Sequence, residues 1–109
     1  MSHLNTAAIA ELKDIMEDGF GDLVEAFIMD TEDKLMALQS ALEAGDAAKV
    51  GEIGHSLKGA SSNICAEALA AIYKQIEDAG REGTIDGVPE ALAQATEEYI
   101  AVKEELSAI

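Results

Sequence analysis

The sequence predicts an all-α fold, an antiparallel up-down four-helix bundle with a short extra N-terminal helix. Three observations support this prediction. Of the 109 residues, 49% are apolar and only one is proline, and the commonest residue types are helix formers such as Ala, Leu and Glu. Apolar residues recur at spacings of three, four or seven, the period of an amphipathic helix. The segments between these runs are short, so consecutive helices should lie antiparallel. We expect residues 1–109 to form a single domain.

Boundary signals divide the chain into five predicted helices. Thr6 is expected to cap a short first helix, which the glycines of the segment EDGFGD should end. A long second helix should end at Gly45. Asp46 is then expected to cap a third helix, from about Ala47 to Ser62, because its carboxylate can accept free backbone N–H groups.

The fourth helix should start near Ala66 and stop at the segment GREG. The last helix should begin around Val88 and Pro89, since proline is tolerated in a first turn. Its apolar residues form a nearly regular heptad that runs to Ile109. The methionines of the first two helices are expected in or near the core: Met16, Met29 and Met36.

The charge and the cysteine count exclude several classes of protein. The formal net charge is -15, so nucleic acid and anionic membranes are not expected partners. With one cysteine, Cys65, the chain has no internal disulfide and fits a reducing compartment. No signal peptide and no run of about 18 apolar residues is evident. We therefore expect a cytoplasmic monomer. Two histidines without ligand spacing predict no metal site, and His3 is expected to be inert.

The most informative stretch is VGEIGHSLKGASSNI, at residues 50–64. On a helix, His55 lies about 160° from both Ile53 and Leu57, so it should face away from the core. Its neighbours on that outer face are small or basic: Gly51, Lys58, Gly59 and Ser62.

Each glycine inside a helix costs roughly 1 kcal/mol relative to alanine, so these glycines need an explanation. One interpretation is that Gly51 and Gly59 remove bulk from around His55. The other is close helix packing, which suits Gly54, nearer the edge of the core, better than Gly51 or Gly59. Residues 46–64 hold two acids and two bases, whereas the rest of the chain carries the whole net charge. The histidine therefore lies in a neutral strip on a very acidic protein.

This arrangement suits transient phosphorylation. A neutral imidazole is a good nucleophile near pH 7. Lys58 could neutralise part of the charge of a phosphoryl group on Nε2, and Gly59 and Ser62 would leave room for a partner's active site. The sequence has no P-loop and no kinase-like glycine-rich loop. It therefore predicts a phosphoryl carrier without ATP-binding or autokinase machinery, not an enzyme.

The residues HSLKGASSN, the following AEAL and the later IEDAGREG resemble the family of histidine-containing phosphotransfer (HPt) domains, of the freestanding single-domain type. The family pattern is loosely His-x-Leu-Lys-Gly-x-Ser, then Asn, and later Leu-Glu-x-x-Gly-Arg. The resemblance implies a phosphorelay intermediate in a multistep two-component system. His55 would accept a phosphoryl group from a receiver-domain aspartate of a hybrid histidine kinase. It would pass that group to the receiver domain of a response regulator.

Within this resemblance, Lys58 would stabilise the phosphate and Gly59 would give access. No cofactor is expected, because the partner receiver domain would supply Mg²⁺. Related domains hydrogen-bond the other imidazole nitrogen from the next helix, and the matching residue is Glu77, which could equally be a solvated surface carboxylate. The chain departs from the family at Cys65, where the family commonly has glycine; this change should affect the helix end.

Two other functions compete with the relay. The chain could be a docking module for receiver or kinase domains that carries no phosphate. His55→Gln would then leave signalling unchanged. It could also be an acyl carrier protein, but these need a serine in an Asp-Ser-Leu context at a helix N-terminus, and HSL at residues 55–57 lies inside a helix. Failure to accept a phosphopantetheine arm would exclude that class.

Overall fold

The computed structural model describes residues 2–109, and the regular secondary structure in that range is entirely helical. Five helices follow one another: α1 (Thr6–Met16), α2 (Gly19–Glu43), α3 (Ala47–Asn63), α4 (Glu67–Arg81) and α5 (Val88–Ser107). The predicted all-α class and the order of the helices are confirmed. In the part of the chain that the structure describes, no helix is long and apolar enough to cross a membrane.

The start of α1 and the break between α1 and α2 differ by a few residues from the prediction. Asn5, and not Thr6, caps α1, because its side chain accepts a hydrogen bond from the backbone N–H of Ala8 at 3.1 Å. The helix break also comes earlier than expected, since Glu17 has a φ of 48°. Gly19 consequently begins α2 instead of ending α1.

Three helices end in the same Schellman arrangement, in which a residue with positive φ follows the last turn. In α2 that residue is Gly45, with a φ of 68°, and in α4 it is Gly83, with a φ of 83°. In α3 it is Cys65, with a φ of 66°. The N–H of Ala66 donates to the carbonyl of Ser61 at 2.9 Å, which completes the motif. Cys65 therefore occupies a backbone position that favours glycine.

The predicted cap of α3 is confirmed. The side chain of Asp46 accepts from the backbone N–H of Lys49 at 3.1 Å. At the start of α5, Gly87 has a φ of 78° and Pro89 lies in the first turn, as the sequence indicated. The cap at Asp46 and the positive-φ residues at Cys65 and Gly83 therefore mark the start of α3 and the ends of α3 and α4, the two helices that carry the candidate site.

The core is a single cluster of buried apolar residues contributed by all five helices and by the segment before α1. Its fully buried members include Leu38, Val50, Leu57, Leu69, Tyr73, Ile76, Ala95 and Val102. The prediction for two methionines is wrong, since Met29 is 62% exposed and Met36 is 72% exposed. Both lie on the side of α2 opposite Phe27 and Leu38. Ile109 follows the end of α5 and is also exposed.

The segment before α1 makes hydrogen bonds to α5 and to the turn after α3. The Nδ1 atom of His3 lies 2.8 Å from a carboxylate oxygen of Glu98, and its backbone N–H donates to Glu105 at 2.8 Å. Leu4 is buried, and the N–H of Asn5 donates to the carbonyl of Cys65 at 2.8 Å. His3 is therefore held against α5 by its contacts with Glu98 and Glu105.

Candidate functional site

His55 lies in the middle of α3 and points out of the bundle. Its side chain is 60% exposed, whereas Ile53 and Leu57 on either side of it are buried. The position of His55 on the helix, about 160° from both buried neighbours, accounts for this exposure. An exposed imidazole on a rigid helix is accessible to another protein.

Glu77 of α4 contacts the inner edge of that imidazole. Its Oε2 atom lies 2.6 Å from His55 Nδ1, and the Glu77 side chain is only 1% exposed. The alternative reading of Glu77 as a solvated surface carboxylate is therefore wrong. The outer ring nitrogen, Nε2, is left as the atom that a partner can reach.

Two cations share the same carboxylate. Lys58 Nζ donates to Glu77 Oε1 at 2.7 Å, and Arg81 Nη2 lies 2.7 Å from Oε2. The sequence predicted no role for Arg81, because GREG was used only to mark a helix end and to support the family resemblance. The available signal was its position four residues after Glu77, the spacing of an ion pair on one helix face. The cluster of Lys58, Glu77 and Arg81 therefore carries one net positive charge.

These contacts fix the protonation of Glu77. The hydrogen bond from Lys58 lowers the pKa of the Glu77 carboxyl most, and the hydrogen bond to His55 and the charge of Arg81 lower it further, while burial opposes them. The net pKa lies below the usual glutamate range, so the group is an anion at neutral pH. An ionised carboxylate can only accept hydrogen bonds, so His55 Nδ1 must carry the proton. In the neutral ring, Nε2 then holds the free lone pair.

The glycines around His55 have different explanations. Gly59 is exposed, and a Cβ added to it would meet nothing within 4 Å. This open space agrees with the interpretation that Gly59 removes bulk from around His55. Gly51 is buried, and its added Cβ would lie 3.2 Å from the carbonyl carbon of Gly80 in α4. The expectation that Gly51 lies on an exposed strip is therefore wrong; helix packing accounts for it. Gly54 also packs, since its Cβ would lie 2.9 Å from the backbone nitrogen of Glu77.

A comparison with protein families gives the site its context. The family model described as the Hpt domain matches residues 22–109. The chain belongs to the Hpt domain family. Among solved structures it is similar to "histidine-containing phosphotransfer protein B (HptB)" from Pseudomonas aeruginosa PAO1. The two are 35% identical, the TM-score is 0.94, and the match covers 97% of this chain and 92% of that one. No curated protein sequence matches the chain.

The role of this Hpt domain is histidine phosphotransfer in a phosphorelay. Proteins of this family are phosphoryl carriers and not kinases, and they interact with kinases and with response-regulator receiver domains. The family match begins within α2, so α1 lies outside it, while the structural match extends over nearly the whole chain.

An open cleft of about 410 Å³ lies between α3 and α4 on one side of His55. The Gly51–Gly80 contact forms part of its lining, with Glu52 and Arg81 at the same site. On the other side of the histidine, Gly59 and Ser62 continue the exposed face of α3. The imidazole of this Hpt domain is therefore flanked by an open cleft on one side and by small exposed residues on the other.

Proposed function

We propose that His55 is the phosphoryl-accepting residue of this Hpt domain. It would accept the group from a receiver-domain aspartate of a hybrid histidine kinase and pass it to the receiver domain of a response regulator. The observation that carries this proposal is the hydrogen bond between Glu77 and His55 Nδ1, which leaves the free lone pair on Nε2 of a largely exposed imidazole. Membership of the Hpt domain family supports the same residue, because the stretch HSLKGASSN, which starts at His55 and resembles the family pattern, lies within the matched residues 22–109.

The transfer step is a displacement at phosphorus. The Nε2 lone pair of His55 forms the new P–N bond while the P–O bond to the partner's aspartate breaks, and the aspartate leaves as a carboxylate. Because Nδ1 keeps its proton, the ring becomes positively charged. The carboxylate of Glu77, 2.6 Å from Nδ1, balances that charge. The reverse step on a second receiver returns the ring to its neutral form.

The surrounding residues have distinct roles in this proposal. Lys58 and Arg81, both bonded to Glu77, can turn toward the phosphoryl oxygens and offset part of their charge. Gly59 and Ser62 are small and exposed, so they leave room for a partner to approach Nε2. Gly51 supports the site by helix packing. The Mg²⁺ that phosphoryl transfer requires would come from the partner receiver domain.

We also propose the finer features of architecture and setting. Residues 1–109 would form one domain, with α2 to α5 as an antiparallel four-helix bundle and α1 as the extra helix. The single buried cluster and the short connections between helices support this. The domain would act as a monomer in the cytoplasm, the compartment that a single cysteine fits.

The test is phosphotransfer from a phosphorylated receiver domain, with Mg²⁺ present. The proteins compared are the wild type, His55→Gln and, as the matched control, His3→Gln. We expect an acid-labile, base-stable phosphate on the wild type and on His3→Gln, and none on His55→Gln. If the wild type binds the receiver but gains no phosphate from any donor, the chain is a docking module.

A further inference from the structure

Helices α3 and α4 meet backbone to backbone at Gly51 and Gly80. A Cβ added to Gly80 would overlap the backbone nitrogen of Gly51. It would also lie 2.5 Å from the Gly51 Cα and 2.7 Å from the carbonyl oxygen of Ala47. These neighbours are backbone atoms inside a helix, so they cannot rotate out of the way as a side chain could. Any side chain at residue 80 therefore requires the two helices to move apart.

The same close contact between α3 and α4 also positions Glu77. One turn from the Gly51–Gly80 contact, a Cβ on Gly54 would lie 2.9 Å from the backbone nitrogen of Glu77 and 3.1 Å from its Cα. His55 is the next residue after Gly54, and its Nδ1 donates to the Glu77 carboxylate at 2.6 Å. The hydrogen bond that orients the imidazole thus depends on how closely the two helix backbones approach.

We propose that Gly80 is a positioning residue for phosphotransfer. Its lack of a side chain sets the separation of α3 and α4 at which the Glu77 carboxylate reaches His55 Nδ1 and leaves the lone pair on Nε2. This inference rests on the proposed function of His55 and adds to it a residue that touches neither the imidazole nor the phosphoryl group.

The size of the expected displacement follows from the contacts. Carbon atoms in ordinary contact lie roughly 3.5–4.0 Å apart, so a Cβ that would lie 2.5 Å from the Gly51 Cα requires about 1 Å of added separation. Adding about 1 Å to the bond between Glu77 and His55 takes it beyond hydrogen-bond range. The imidazole would then lose its fixed tautomer and its orientation. A misplacement of that size costs on the order of 100-fold in rate.

The experiment compares full-length wild type with Gly80→Ala, Gly51→Ala and Gly21→Ala. Gly21 is the matched control, because it is a glycine within α2 whose added Cβ meets nothing within 4 Å. Circular dichroism checks the fold. Two-bond ¹H–¹⁵N correlation of the His55 ring, at a pH where the ring is neutral, reports which nitrogen carries the proton. The rate of phosphorylation is measured with phosphoramidate, a small donor that needs no docking, and with a phosphorylated receiver domain.

We expect wild type and Gly21→Ala to show the proton on Nδ1 and equal rates. Gly80→Ala should show mixed tautomers and a rate reduced on the order of 10- to 100-fold with both donors. Gly51→Ala, whose Cβ meets Gly80 at 3.2 Å, should change in the same direction by less. A merely structural role would lower stability without moving the tautomer.

A folded Gly80→Ala protein with the wild-type tautomer and rates would overturn the inference. If Gly80→Ala does not fold, Gly51→Ala decides by the same two readouts, since its contact is milder. Failure of the proposed function is a different result. Wild-type His55 would then gain no phosphate from either donor, while the ring spectra of the variants would still test the role of Gly80.

Discussion

Substitution of Gly59 by glutamine should separate stability from phosphotransfer. Gly59 lies on the exposed face of α3, four residues after His55, and an added Cβ would meet nothing within 4 Å. The fold has room for the new side chain, and glutamine is a better helix former than glycine by about 0.5 kcal/mol. For a domain of this size we expect the midpoint of thermal unfolding to rise by about 2 °C.

The same side chain should block a protein donor. Residues four apart on a helix are separated by about 6 Å along the axis, and helical side chains lean toward the N-terminus. The glutamine at residue 59 would therefore cover the approach to His55 Nε2. We expect transfer from a phosphorylated receiver domain to fall on the order of 100-fold, because the reacting atoms can no longer align.

The assay measures thermal unfolding by circular dichroism and phosphorylation with two donors. Phosphoramidate is small enough to pass the new side chain, so its rate should stay close to that of the wild type. Gly21→Gln, at another glycine whose added Cβ has open space around it, is the matched control and should transfer normally. A normal rate of transfer from the receiver in Gly59→Gln would refute the reasoning, because the absence of a side chain would then not be needed for access.

Three further predictions concern the site and the end of α3. Lys58→Ala should slow phosphorylation of His55 while receiver binding, measured by calorimetry, stays near wild type; equal loss of binding would make Lys58 a docking contact. The folded-state pKa of Glu77 is lowered from its ordinary value of 4.5, so its ionised form stabilises the fold above that value and the benefit is lost as the pH falls through the lower, folded pKa. In urea unfolding, the stability difference between wild type and Glu77→Gln should be constant above that range and should shrink below it; a pH-independent difference would contradict this. Cys65→Gly should raise the free energy of unfolding by roughly 1 kcal/mol, because a non-glycine residue with a φ of 66° is strained; an unchanged or lower value would show that the thiol's packing matters more than the strain.

The parts of the site that lie on one helix could be predicted from the sequence. His55, Lys58 and Gly59 fall within one turn of α3, and the helical period alone places all three away from Ile53 and Leu57. No knowledge of a neighbouring helix is needed for that step. In the structure His55 and Gly59 are exposed and Lys58 is partly buried, which agrees with the prediction.

The parts that depend on how two helices align could not be predicted in the same way. Glu77 remained an even choice between two readings, because its contact with His55 depends on the register of α4 against α3. Gly51 was misread for the same reason, since a helical period does not say that Gly80 approaches it. Met29 was expected in or near the core because it is apolar, whereas the helical period of α2 places it opposite Phe27 and Leu38, on the solvent face.

The segment before α1 has a consequence for where this protein can be cut. The family match begins at residue 22, and a truncated protein designed from that match alone would start there. Such a version would lose Leu4 and Ile9 from the core, and burial of a side chain of this size contributes about 1.5–3 kcal/mol. It would also lose the hydrogen bond from the N–H of Asn5 to the carbonyl of Cys65, which lies in the turn between α3 and α4. Residues before position 22 therefore belong to the packed fold, and the segment before α1 braces the turn between the two helices that carry the candidate site.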